Sequence, residues 1–294
     1  MHMSMHNWMR SEPLEVTLAR LARYGYGSIE IKGEPDQYDT KTVRGQLDHY
    51  GLKCWGAVTL TLAERNLCAK DEAQRAATVQ YMKDCITMVK ELNGHEITIV
   101  PATVGKVVPD GPPEEEWVWA VDALKEIHEH ASAAGVRMAI EGLNRFETYF
   151  INRGDQALAL ADAVSPDVGI CLDAFHMNIE EVDFFQAIRD AGDRLVDFHV
   201  ADNNRMAAGM GSLDWPAIVT TLQEINYDGA LTVEFVAPID RTPANQYPDA
   251  IETNPVDISA EELQFIIDHG SSLLSEGFYD MLVEKCATTI LPLI

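Results

Sequence analysis

The chain has 294 residues, 47% of them hydrophobic, and a formal net charge of −25 from 22 basic and 47 acidic side chains. So large a negative surplus argues against binding nucleic acid or an anionic membrane, because both depend on Lys and Arg. No apolar run approaches the roughly 18 residues of a membrane span. Five widely spaced cysteines, Cys54, Cys68, Cys85, Cys171 and Cys286, form no Cys-x-x-Cys pair, which argues against a thiolate zinc or redox site. Met1 to Trp8 lack a basic segment followed by an apolar one, so no signal peptide is expected and the cytoplasm is the expected location.

Short apolar runs alternate with longer amphipathic ones, the pattern of βα units around a parallel sheet. A weak first strand is expected within Met3 to Trp8, then a helix from Leu14 to Tyr24, a strand from Ser28 to Lys32, a helix from Thr40 to Tyr50 and a strand from Lys53 to Leu60. Val79, Met82, Ile86 and Val89 recur at helical spacing, and Asn93-Gly94 supplies a stop. The fourth strand is Glu96 to Val100. After a loop from Pro101 to Pro113 comes a helix with an acidic first turn, favourable at the positive end of its dipole, and an expected buried stripe of Trp117, Val121, Leu124 and Ile127. His128 and His130, two apart on this helix, are expected at the surface.

Four ligand-type residues then close four successive apolar runs: Glu141, Asp173, His199 and Glu234, at intervals of 32, 26 and 35 residues. A (β/α)₈ barrel spends about 31 residues per unit, so the four are expected at the ends of successive parallel strands. Helices are expected near Asp155 to Ala163, Glu180 to Ala191 and Trp215 to Ile225. The fold expected is a TIM barrel occupying residues 1–294 as one domain, with a long loop at 235–258 and C-terminal helices over 259–294. That loop carries Pro238, Pro243, Pro248 and Pro255 and ends at a capping box, Ser259 to Glu262, so it reads as a lid or docking segment.

Two Glu, one Asp and one His form a mostly oxygen donor set with one imidazole. This suits Mn²⁺, Mg²⁺ or Co²⁺ better than structural zinc. Four protein ligands leave two octahedral positions for the oxygens of a hydroxy-ketone.

Three segments carry a family resemblance: Glu141-Gly-Leu-Asn-Arg-Phe-Glu147, Leu172-Asp-Ala-Phe-His-Met-Asn-Ile-Glu-Glu181 and His199-Val-Ala-Asp-Asn-Asn-Arg205. They resemble the sugar isomerase/epimerase superfamily of xylose-isomerase-like barrels, in particular ketose 3-epimerases of the tagatose and psicose type and catalytic α subunits of C-glycoside deglycosidases. The resemblance implies that Glu141, Asp173, His199 and Glu234 bind one divalent metal, manganese first. It implies catalytic roles for Glu141, Glu234 and His176, and substrate contacts from Glu147 and Arg205; Lys106 in the loop after strand four is a further candidate contact.

Two outcomes share one first step, loss of the proton α to a sugar carbonyl. Returned to the opposite face, the proton gives an epimer; on a 3-oxo-glycoside the same enediolate expels the aglycone. The runs around Val100 to Trp119 and Pro238 to Ile258, with Phe235-Val236 after the last ligand, resemble the deglycosidase subunits more. The reading is therefore a lyase first and a ketose 3-epimerase second. A non-catalytic sugar-binding barrel is a remote third. The lyase reading implies a small β-rich partner subunit, and an oligomer is expected. Apurinic endonucleases of the superfamily need a richer metal cluster and a basic DNA face, which this acidic chain lacks.

Overall fold

The computed structural model describes residues 1–251 and 273–294. Eight parallel strands, His2–Met5 (β1), Ser28–Lys32 (β2), Lys53–Val58 (β3), Glu96–Ile99 (β4), Arg137–Glu141 (β5), Gly169–Asp173 (β6), Leu195–Val200 (β7) and Ala230–Val233 (β8), form one sheet in the order 1-8-7-6-5-4-3-2. A parallel bridge from His6 to Glu30 joins β1 to β2 and closes the ring. This is the (β/α)₈ barrel that the spacing of apolar runs predicts.

Helices cover the outside: Leu14–Arg23 (α1), Thr40–Tyr50 (α2), Glu72–Glu91 (α3), Pro113–Ala134 (α4), Gly154–Val164 (α5), Ala174–Glu180 (α6), Phe184–Ala191 (α7), Trp215–Glu224 (α8) and Glu276–Ile290 (α9). Side-chain caps explain several starts, since Asp39, Asp71, Asp183, Asp214 and Ser275 each accept a first-turn backbone N–H. Gly51 and Gly135 end α2 and α4 in the left-handed region. The core lies between strands and helices, where Ile29, Ile31, Met82, Ile86, Leu124, Ile140 and Phe198 are fully buried.

Three expectations need correction. The single helix expected over Glu180 to Ala191 is two: α6 starts at once after β6 because Asp173 caps it, and the chain breaks before Asp183 caps α7. Trp117 is only partly buried, and Glu116 takes its place inside. Its Oε1 accepts from the N–H groups of Asp110 and Gly111 and from the Tyr149 hydroxyl, so what reads as a solvated helix-start acid holds the loop before α4. His128 and His130 are half-buried, and Thr87 pairs with His130.

After β8, Phe235 packs on Tyr279 of α9 with ring centroids 5.4 Å apart, and residues 236–250 form no helix or strand. Ser275 N–H donates to the Ala250 carbonyl at 2.7 Å, pinning the end of that segment to the start of α9. The expected capping box and the rest of the stretch to residue 272 lie outside the described residues. No helix among the described residues is long and apolar enough to cross a membrane.

The barrel interior departs from the branched apolar filling usual in this fold. Ser4, His6, Glu30, Glu96, Thr98, Asp197, His199 and Thr232 are all fully buried. Gly56 of β3 makes room for one of them, because a Cβ there would meet Glu96 Oε1 at 2.0 Å and the Glu96 carbonyl at 2.3 Å. Gly56→Ala is therefore expected to destabilise the protein by about 1–3 kcal/mol through overpacking. Gly45, exposed in α2 with nothing within 4 Å of its added Cβ, should gain about 1 kcal/mol as Ala. Denaturant unfolding of the two variants checks the opposite signs.

Candidate metal centre and active site

Four strand ends converge at the mouth of the barrel. Glu141 and Asp173 are the last residues of β5 and β6, His199 is the penultimate residue of β7, and Glu234 comes directly after β8. All four are buried. His199 Nδ1 lies 3.1 Å from Glu141 Oε1 and 3.0 Å from Glu234 Oε2. One ligand atom from each of the four lies within 4.8 Å of the others, a spacing that can hold a metal ion.

Asp173 divides its carboxylate between two tasks. Oδ1 accepts from Phe175 N–H at 2.6 Å and His176 N–H at 3.3 Å, capping α6, while Oδ2 is buried without a hydrogen-bond partner. Burial, reinforced by Glu234, pushes Asp173 well above the usual carboxylate range, and burial also raises Glu141. Burial opposes charge on Glu234 as well, but His6, His199 and Arg205 outweigh it and hold that carboxyl well below its usual range. For His199, burial disfavours the cation, yet Cys171, Glu141 and Glu234 raise it well above the ordinary value. Three crowded carboxylates with one oxygen unpartnered are short of positive charge. A divalent cation fits that deficit, and the oxygen-rich donor set suits manganese, magnesium or cobalt.

A cavity beside the four ligands has two unlike walls. Glu141, Glu147, His176, Arg205 and Glu234 form the polar one; Val58, Leu60, Leu62, Val100, Val104 and Leu143 form the mainly apolar one, interrupted by Thr59 and Thr61, with Trp8 also lining the cavity. Asn144 connects the polar side. Its Nδ2 donates to Glu147 Oε1 at 2.8 Å and lies 2.9 Å from His176 Nδ1, to which its backbone N–H also donates at 3.2 Å. With Nδ1 an acceptor, a neutral His176 carries its proton on Nε2, which is buried and unpartnered. Burial, then Arg205, holds His176 well below its ordinary value, which keeps the ring neutral.

Arg205 stands at φ +60°, with its N–H donating to the Asp202 carbonyl at 2.8 Å. Its Nη1 donates to Glu147 Oε1 at 2.6 Å, and its guanidinium lies 4.8 Å from the centre of the Phe175 ring. Asp202 holds this turn by accepting from the N–H groups of Asn203, Gly209 and Leu213 and from Trp215 Nε1.

The structure thus brings together Glu141, Glu147, Asp173, His176, His199, Arg205 and Glu234. Lys106 is different: its ammonium pairs with Asp110 at 2.5 Å, and it is not among the cavity-lining residues. A lysine with an aspartate four residues later carries that local pairing in its own sequence. Sequence reading missed Trp8, whose Nε1 donates to Glu234 Oε1 at 2.9 Å, and Asn144. Asn144 sits inside the Glu141 motif and was open to notice. Trp8 comes after a strand too short and polar to mark its own end.

A family model described as xylose isomerase-like TIM barrel matches residues 18–268. A D-psicose 3-epimerase of Enterocloster bolteae is 33% identical over 227 residues, covering 73% of this chain and 74% of the relative. A 3-dehydro-D-guloside 4-epimerase of Escherichia coli is 29% identical over 237 residues, covering 77% and 88%. Among solved structures, an L-ribulose 3-epimerase superposes with a TM-score of 0.82 at 26% identity, covering 99% of this chain and 94% of the other. With a closed eight-stranded barrel and a candidate ligand quartet at its mouth, the chain belongs to the xylose isomerase-like TIM-barrel family.

Proposed function

We propose that this protein is a divalent-metal-dependent ketose 3-epimerase, with manganese the expected ion. The observation that supports this most is the placement of the Glu141 and Glu234 carboxylates about His199 Nδ1, at 3.1 and 3.0 Å, beside a cavity whose polar wall carries His176 and Arg205. Two carboxylates at one reacting carbon can take a proton and return one, which is what epimerisation α to a carbonyl requires. The bound cation would stabilise negative charge developing on the sugar carbonyl oxygen. His176 offers its Nε2–H to a substrate oxygen, and Arg205 with Glu147 orients a hydroxyl. The apolar wall excludes water, which strengthens these contacts.

The psicose, guloside and ribulose relatives are all epimerases, and this reverses the order in which the motifs alone placed the two readings. The lyase reading stands second, supported by Phe235-Val236 after the last ligand and by a relative whose name denotes a 3-dehydro-glycoside substrate. The small β-rich subunit belongs to that reading.

Manganese content after dialysis should fall to background in Asp173→Asn and His199→Ala; full retention in both would refute the quartet as the metal site. Glu234→Gln should lower kcat by about 10²–10⁴-fold, the usual contribution of a proton-transferring carboxylate. Incubated with fructose, psicose, tagatose and L-ribulose, the wild-type protein should yield the C3 epimer of at least one. Aglycone release from aryl 3-oxo-glucosides, with every free ketose unchanged, would replace the epimerase by the lyase.

A further inference from the structure

Beneath the quartet lies a second group of buried polar residues that the proposed reaction does not use. We propose that His6, Glu30 and Asp197 are positioning residues, a floor that holds His199 and Glu234 in the geometry that receives the cation. This role rests on the quartet being a metal centre.

The geometry starts with the imidazole. His199 turns Nδ1 toward Glu141 and Glu234 and Nε2 the opposite way, 3.5 Å from Glu30 Oε2 and 3.5 Å from Asp197 Oδ2. Carboxylates that face a ligating histidine's far nitrogen favour the tautomer with its proton on that side, and here two of them face Nε2 from just beyond hydrogen-bond distance. Asp197 is itself held, because Thr232 Oγ1 lies 3.0 and 2.9 Å from its two oxygens and Phe198 N–H donates to Oδ1 at 2.8 Å. The second arm runs through His6, whose Nε2 lies 3.6 Å from Glu30 Oε2 and 3.6 Å from Glu234 Oε1. Its ring meets the His199 ring edge-on with centroids 4.6 Å apart. Glu30 thus lies between His199 and His6, and through them reaches two of the four ligands. His6 and Glu30 also form the bridge that closes the barrel, so the seam of the fold fixes the floor.

Apart from Asp197, with its Thr232 and Phe198 donors, this floor is a poor device for stability. His6, Glu30 and Asp197 are 0% exposed, and both nitrogens of His6, both carboxylate oxygens of Glu30 and His199 Nε2 lack hydrogen-bond partners. Buried polar groups left unpaired disfavour the folded state. A floor kept for the cation therefore predicts a split of signs: replacing a floor carboxyl by its amide weakens metal binding without loosening the metal-free fold.

Glu30→Gln and Asp197→Asn keep size and shape. Wild type and both variants are stripped of metal and titrated with Mn²⁺, with free manganese read by electron paramagnetic resonance; the melting temperature of each metal-free protein is measured in parallel. The expected result is a manganese dissociation constant raised about 10–100-fold in each variant, with metal-free melting temperatures equal to or above wild type. Binding within twofold of wild type in both variants overturns the floor, and so does weaker binding accompanied by an equally lowered metal-free melting temperature. Asp173→Asn serves as the control. If wild type binds manganese and Asp173→Asn does not, the metal-centre reading stands whatever becomes of the floor; a wild type that binds none overturns both.

Discussion

The structure is organised around a repulsion. Glu141, Asp173 and Glu234 bring three buried carboxylates within a few ångströms of one another. Like charges so placed cannot all remain ionised without compensation, and the nearby positive groups, His199 and Arg205, are too few for it. A barrel suits such an arrangement because each ligand comes from a different strand. The strain of crowding is then borne by the hydrogen-bonded sheet and not by one flexible loop. Asp173 serves fold and site together, with one oxygen starting α6 and the other left for the mouth of the barrel.

Strand ends fix the ligands, and loops set the cavity beside them. Glu147 and Arg205, on the loops after β5 and β7, meet through a 2.6 Å contact, so two independent loops are tied at the point where a substrate hydroxyl would sit. Asp202 makes the second loop rigid with four accepted hydrogen bonds, and this holds Arg205 at positive φ, where a non-glycine residue is uncommon. Asn144 joins Glu147 to His176 from the first loop. Glu147, His176 and Arg205 are therefore joined in one network through Asn144, whereas the side chains of the apolar wall are held by packing.

Much of this was legible in the sequence because its signals are local. Apolar runs spaced one βα unit apart betray parallel strands, and a carboxylate or histidine closing such a run betrays a polar side chain at the mouth. The features that stayed hidden depend on contacts between distant residues. Glu30 and Asp197 sit within strands whose neighbours are apolar, so each reads as an ordinary outward-facing acid until the barrel closes. His6 belongs to a strand that propensity barely marks. Trp8 and Glu234 are 226 residues apart in the chain, and no period in the sequence relates them. Lys106 shows the converse case: a loop position after a strand suggests a substrate contact, while the structure adds an aspartate partner four residues on.

Epimerase and lyase part company only after the proton has left the substrate, and this locates where the deciding structure must lie. Under the proposed function both would use the quartet, His176 and the Arg205–Glu147 pair, since both begin at the carbon beside a carbonyl. They differ in whether a leaving group stands β to that carbonyl and in whether the proton is returned before it departs. A bulky aglycone needs room beyond the sugar ring, and the cavity beside the quartet is bordered by the loops after β3 and β4. Leu60, Leu62 and Val104 of the apolar wall stand on these two loops. This wall can serve an aromatic group by contact or a bare ketose by keeping water from the reacting carbon. Discrimination of free sugar from glycoside is therefore expected to depend on the size of these side chains, while the shared first step depends on the ligands.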